Sequence, residues 1–163
     1  MTYLQLVNSV LRRLREDEAS SIENSNDSYV KLIGEFVNDA RRIVEDAWDW
    51  SALRSTITVT TTDDVFSYSM TGTNNSFKIL DVINDTSNFF MRSASSSWMN
   101  NAYLVQEPTK GSPEYYSWNG VDANGNALVD LYPKPDKAYT LRFNIVDRAD
   151  PFALDADKLV VPS

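Results

Sequence analysis

The chain has 163 residues, 42% of them apolar and 12% aromatic, and a net charge of −8; that is enough to bury the core of one domain, or of a compact domain with an appendage. The acidity opposes ordinary tight binding to phosphate backbones, and no run approaches the apolar length of a membrane span. With no histidine and no cysteine, a Ser-His or Cys-His nucleophile pair, an imidazole base, a disulfide and a thiolate metal site are excluded, and only carboxylates, lysines and tyrosines remain as acid–base groups.

Residues 2–15 predict an amphipathic helix. Thr2 suits the N-cap, and Tyr3, Leu4, Val7, Val10, Leu11 and Leu14 recur at helical spacing, with Arg12, Arg13 and Arg15 where positive charge complements exposed carbonyls. Basic residues follow the apolar ones here, unlike the order in a secretory leader. The polar stretch EDEASSIENSND breaks the pattern and ends in Asp27-Ser28, a good N-cap pair.

A longer helix follows, with Tyr29, Leu32, Ile33, Phe36, Val37, Ala40, Ile43, Val44, Ala47 and Trp48 in a three–four rhythm. The short connection predicts an antiparallel helical hairpin. Two short helices cannot cover both apolar stripes between themselves, so something else must.

From Ser55 the period changes to two. Ile57 and Val59, then Phe66, Tyr68 and Met70, predict strands about a turn at Asp63-Asp64; GTNNS at 72–76 is a second turn. Phe77, Ile79 and Val82-Ile83 predict a third strand leading to Phe89-Phe90-Met91. Residues 93–102 read as loop or short helix, and YLVQEP as an edge strand stopped by Pro108. PEYYSWN and ALVDLYP flank a Gly/Asn/Asp-rich hairpin loop from Gly120 to Asn126. Pro133 and Pro135 make a turn before Tyr139, Leu141, Phe143 and Ile145 resume alternation in a partner strand. The fold class is therefore α+β: a helical hairpin, part of a helix bundle, over 1–54; an antiparallel meander closed as a β-sandwich or barrel-like domain over 55–149; and a C-terminal connector over 150–163.

Few clusters promise chemistry. DRADPFALDADK lacks the glycine and closing glutamate of a calcium loop and reads as a solvated connector. Asp63-Asp64 reads as a turn rather than a glycosidase carboxylate pair, because neighbouring strand residues face opposite ways. Asn74-Asn75-Ser76 and Asn84-Asp85-Thr86 match a short, common glycosylation pattern. Gly120 and Gly125 lack the lysine and following helix of a phosphate loop. Mixed charge after the arginines of the first helix favours a helix-end role over nucleic-acid contact. No catalytic, cofactor or metal residue is assigned. Phe89, Phe90, Trp98, Met99, Tyr103, Tyr115 and Trp118 are candidate subunit or partner contacts, since aromatic and Met side chains concentrate at interface centres. Trp98, Tyr115, Tyr116 and Trp118 alternatively read as a carbohydrate-binding platform.

Two stretches in order carry a resemblance. SYVKLIGEFVNDARRIVEDAWDWSALRSTITVTT holds Asn38, Ala40, Arg41 and Trp48-x-Trp50 before a strand, and YYSWNGVDANGNALVDLYPKPDKAYTLRFNIV holds a strand–hairpin–strand with a Pro-x-Pro-Asp turn. With the opening YLQLVNSVLRRLRED, this order resembles the head–tail adaptors of short-tailed bacteriophages, also called tail tubular protein A or head-to-tail connectors. The resemblance implies a non-enzymatic virion protein at the head–tail junction. It implies a ring, typically of twelve copies, between portal and tail nozzle, near tail fibres, that extends the channel for double-stranded DNA. Another neck or tail protein is the alternative within phage biology. Family members usually continue into further C-terminal helices, so the uncovered stripes imply either a shortened chain or cover from neighbouring subunits.

Overall fold

The computed structural model describes residues 1–71, 77–104 and 108–161. Among the described residues the architecture is α+β, with three α-helices and two four-stranded sheets. Contacts group into two compact units, Met1–Leu53 with the stretch from Arg148 onward, and Arg54–Asp147.

In the first unit, α1 (Tyr3–Leu14) starts on a reciprocal capping box. Gln5 N–H donates to the Thr2 hydroxyl at 3.3 Å, while the Gln5 side-chain carbonyl accepts from Thr2 N–H at 3.0 Å. Arg15 closes the helix in the left-handed region. α2 (Ser28–Ala47) is capped by Asp27, whose carboxylate accepts from Tyr29 N–H at 2.8 Å. Tyr3, Val7 and Leu11 on α1 pack with Val30 and Ile33 on α2, and Ile22 and Phe152 complete this small core.

The C-terminal stretch is therefore no solvated connector. Phe152 is buried, with its ring 5.3 Å from that of Tyr3. The acids that looked exposed in sequence cap backbone instead: Asp155 accepts from Ile22 N–H at 2.8 Å, and Asp157 from Ala153 and Leu154 N–H, both at 2.7 Å. Those two donors hold the Asp157 carboxyl below the usual range.

The second unit holds β1 (Arg54–Thr60), β2 (Ser67–Ser69), β3 (Phe77–Asn84), β4 (Phe89–Phe90), β5 (Arg92–Ser93), α3 (Ser96–Leu104), β6 (Tyr115–Val121), β7 (Ala127–Tyr132) and β8 (Thr140–Asp147). Strand order is β1-β8-β3-β4 in one sheet and β2-β7-β6-β5 in the other. This is not the meander that regular spacing predicts. The Asp63-Asp64 turn leads from β1 into the other sheet, and the Pro133–Pro135 turn leads from β7 to β8, which pairs with β1 and β3 rather than with β7. One pairing, β5 with β6, is parallel. Turn chemistry marks where a strand stops and says nothing about which sheet receives the next one. The β6–β7 hairpin pairs the strands its loop joins, as expected, and so does the short turn between β3 and β4. Tyr103 and Leu104, expected in an edge strand, end α3 instead; the rest of that segment at 105–107 and the turn at 72–76 lie outside the described residues. Val82, Leu141, Phe143 and Ile145 of one sheet share a core with Met70 and with Tyr116, Val129 and Leu131 of the other.

Two polar sites fix loops in this unit. Asn84 is fully buried. Its amide donates to the Ser112 hydroxyl at 3.0 Å and the Pro113 carbonyl at 3.2 Å, and its oxygen accepts from Ser87 N–H at 3.1 Å. That side chain is therefore no glycan acceptor, and Asn74 lies outside the described residues. In the β6–β7 loop, where Gly125 takes φ 84°, Asp122 accepts from the Ser69 hydroxyl, the Asn126 amide and the N–H groups of Asn124 and Asn126. The Ser69 bond first, and then the Asn126 side chain, hold its carboxyl at about 2.

Two outcomes follow. Asn84→Ala strands the Ser87 N–H and Pro113 carbonyl and should lower unfolding free energy by about 1–3 kcal/mol in denaturant titrations. Asp122 has a folded pKa below its unfolded value of about 3.9, so its contribution is present above that value and lost as pH falls through about 2. Unfolding midpoints measured across that acid range should fall more steeply for the natural chain than for Asp122→Asn.

Candidate functional site

The sequence nominates seven residues as contacts, and the structure distributes them over several environments. Along β6, Tyr115 and Trp118 are three positions apart and so point to opposite faces. Trp118 turns inward with Tyr116, meeting Phe77 edge-on at 5.7 Å and packing against the sheet core. Tyr115 stands on the other face beneath α3, its ring 4.8 Å from Trp98, which lies 5.4 Å from Tyr132. Tyr103 extends the row, 5.6 Å from Tyr132 and 4.5 Å from Phe66. Its hydroxyl donates to the Leu131 carbonyl, and its pKa is pushed far up, by desolvation above all and then by Asp130. Met99, at 2% exposure, is core and is corrected as a surface contact: it lies on the buried side of α3 with Ala102.

The aromatics around α3 thus pack on one another rather than forming an open platform for sugars. Trp98 is the member that reaches solvent. Phe89 is half-buried against the core, whereas Phe90, one position on, projects outward and lines a recess of about 250 Å³ with Phe89, Arg92 and Glu114.

An uncovered apolar surface lies in the other unit, on α2. Its inner face carries Val30, Ile33 and Val37 against α1. Tyr29, Leu32, Phe36, Ala40, Ile43, Val44 and Ala47 recur at three- and four-residue spacing on a second, exposed arc, with Phe36 57% and Ile43 71% exposed. Trp48, 70% exposed, ends it. Glu35 and Asp39 stand exposed along its rim. None of these appears among the seven nominated residues, although the signal was legible: the apolar arc is too wide for one partner helix.

What holds α2 in this orientation is polar and buried. Arg41 Nε lies 2.8 Å from Glu45 Oε1, with those side chains 6% and 1% exposed. The guanidinium also donates to the Ala149 carbonyl and sits 4.4 Å over the Phe152 ring. Asn38 exchanges two bonds with the Phe152 backbone, donating at 3.1 Å and accepting at 2.9 Å. Asn38 and Arg41, part of the sequence resemblance, therefore moor the C-terminal stretch to α2. Gly34 allows α1 close approach, because a Cβ there would collide with the Tyr3 hydroxyl.

Among the described residues no cluster of three His, Cys, Asp or Glu side chains could hold a metal ion. Asp63 and Asp64 are engaged by lysines, with Lys110 and Lys134 at 2.8 and 3.0 Å from Asp64. No helix of the described residues is long and apolar enough to cross a membrane. The model of the SU10 adaptor protein family matches residues 1–163, and the chain belongs to that family. It is thus a phage structural adaptor, a class not known for enzymes. No curated protein gives a significant match.

The Gly34 contact yields a stability test. Gly34→Ala should lower unfolding free energy by about 1–3 kcal/mol through overpacking, and adding Tyr3→Phe should recover part of the loss in thermal or denaturant melts.

Proposed function

We propose that the chain is a subunit of an adaptor ring that joins the portal to the tail nozzle of a phage particle and extends the DNA channel at the head–tail junction. In this reading it has no catalytic role and needs no cofactor; its work is done where surfaces meet. α1 and α2 form an antiparallel pair, and the two sheets form a sandwich about their shared core. Family membership over the whole chain carries the reading. The exposed α2 arc supports it, because a ring needs apolar patches on the flanks of each subunit. So does the net charge of −8: an acidic conduit repels phosphates and lets a duplex slide. Phe90 and Trp98, outward on the β-rich unit, are proposed contacts to nozzle or fibre proteins; Tyr115 supports Trp98 from beneath.

The test is assembly. Mass photometry and electron microscopy of the purified chain with its portal should show a closed ring of copies, about twelve, on the portal face. Only monomers under both conditions, alone and with the portal, would sink the reading.

A further inference from the structure

Four strands form the edges of the two sheets, β1 and β4 in one, β2 and β5 in the other. Among the described residues, β2, β4 and β5 run only two or three residues, which leaves little backbone for another chain to pair with. β1 is not blunted in this way. It runs seven residues in unbroken register with β8 and contains no proline, glycine or lysine. Thr56, Ile57, Thr58, Val59 and Thr60 are all β-branched, which favours the extended form.

The free side of β1 follows from its neighbour. Thr61 N–H donates to the Tyr139 carbonyl at 2.9 Å, one pair beyond Thr60 and Thr140. In an antiparallel ladder the N–H and C=O of one residue point the same way, and successive residues alternate. Ser55, Ile57 and Val59 therefore face β8, and the backbone groups of Arg54, Thr56, Thr58 and Thr60 face away from it. Among the described residues no strand lies on that side, and no turn or loop backbone bonds those four. All four are exposed.

A row of free backbone donors and acceptors has a specific complement, another extended segment. The other edges of this chain are too short to supply it. In a second copy only β1 itself would match, and β1 against β1 closes a two-fold pair that cannot continue round a ring. Side chains narrow the choice further. Ile57 and Val59 are half-buried against the sheet core, while Thr56, Thr58 and Thr60 lie on the opposite face. Arg54 stands exposed at one end, in no ion pair among the described residues.

Resting on the adaptor reading, we infer that β1 receives an extended segment of the tail nozzle protein, the partner proposed for the β-rich unit. The segment adds a strand beside β1. Its apolar side chains continue the row of Ile57 and Val59, its polar ones lie beside Thr56, Thr58 and Thr60, and a carboxylate meets Arg54.

The alternation along β1 supplies the test. The chain alone, and the chain assembled with purified nozzle protein, are exchanged into heavy water, quenched, dissociated and read residue by residue by NMR. The amides of Thr56, Thr58 and Thr60 should exchange fast in the free chain and about tenfold or more slowly in the assembly, with Ile57 and Val59 slow in both. Thr58→Pro removes an N–H that β8 does not use. It should melt close to the natural chain yet bind nozzle protein about tenfold more weakly. Fast Thr56, Thr58 and Thr60 amides inside a formed assembly, or undiminished binding by folded Thr58→Pro, would overturn the inference and leave the adaptor reading standing. Slow amides in the chain alone, with dimers in mass photometry, would give the edge to a second copy and overturn it as well. So would protection by the portal without nozzle protein. No assembly with either protein would end both the inference and the reading.

Discussion

A helix can bury one face against a single partner, and α2 has apolar side chains on more than one face. Val30 and Ile33 take the inner position against α1, which leaves Phe36 and Ile43 facing water. The geometry of the unit depends on holding the helix in that orientation, because a modest rotation would exchange the two faces at small cost in apolar area. Polar groups prevent it. Arg41 lies on the buried side, where a charge without partners would be strongly unfavourable; Glu45, one turn on, turns with it, but the Ala149 carbonyl and the Phe152 ring lie off the helix and meet the guanidinium only in one orientation. Asn38 adds a two-bond lock to the Phe152 backbone.

The buried Arg41, with Glu45 beside it, fits this role better than a role in net stability. Removing two charges from water costs about as much as their attraction returns. Hydrophobic residues of similar volume would hold the C-terminal stretch as tightly without choosing a helix rotation. Arg41 chooses, because its guanidinium must reach the Ala149 carbonyl while its face lies on Phe152. The exposed arc is thus a consequence of what the buried side requires.

Much of this was legible in the chain. Thr2 and Asp27 announced both helix starts because capping is local chemistry, written within three residues. The β6–β7 hairpin was legible for the same reason. Strand partnership was not: β1 meets β8 across some eighty residues, and period-two alternation reports a buried face without naming a neighbour. α3 was legible only as one of two alternatives, loop or short helix, because SSWMNNAYL lacks a clear helical stripe and its buried residues are Met99 and Ala102. The nominated contacts Tyr115 and Trp118 were read as one surface although an odd separation along a strand places them on opposite faces. The better candidate, on α2, was present as an unexplained excess of apolar residues.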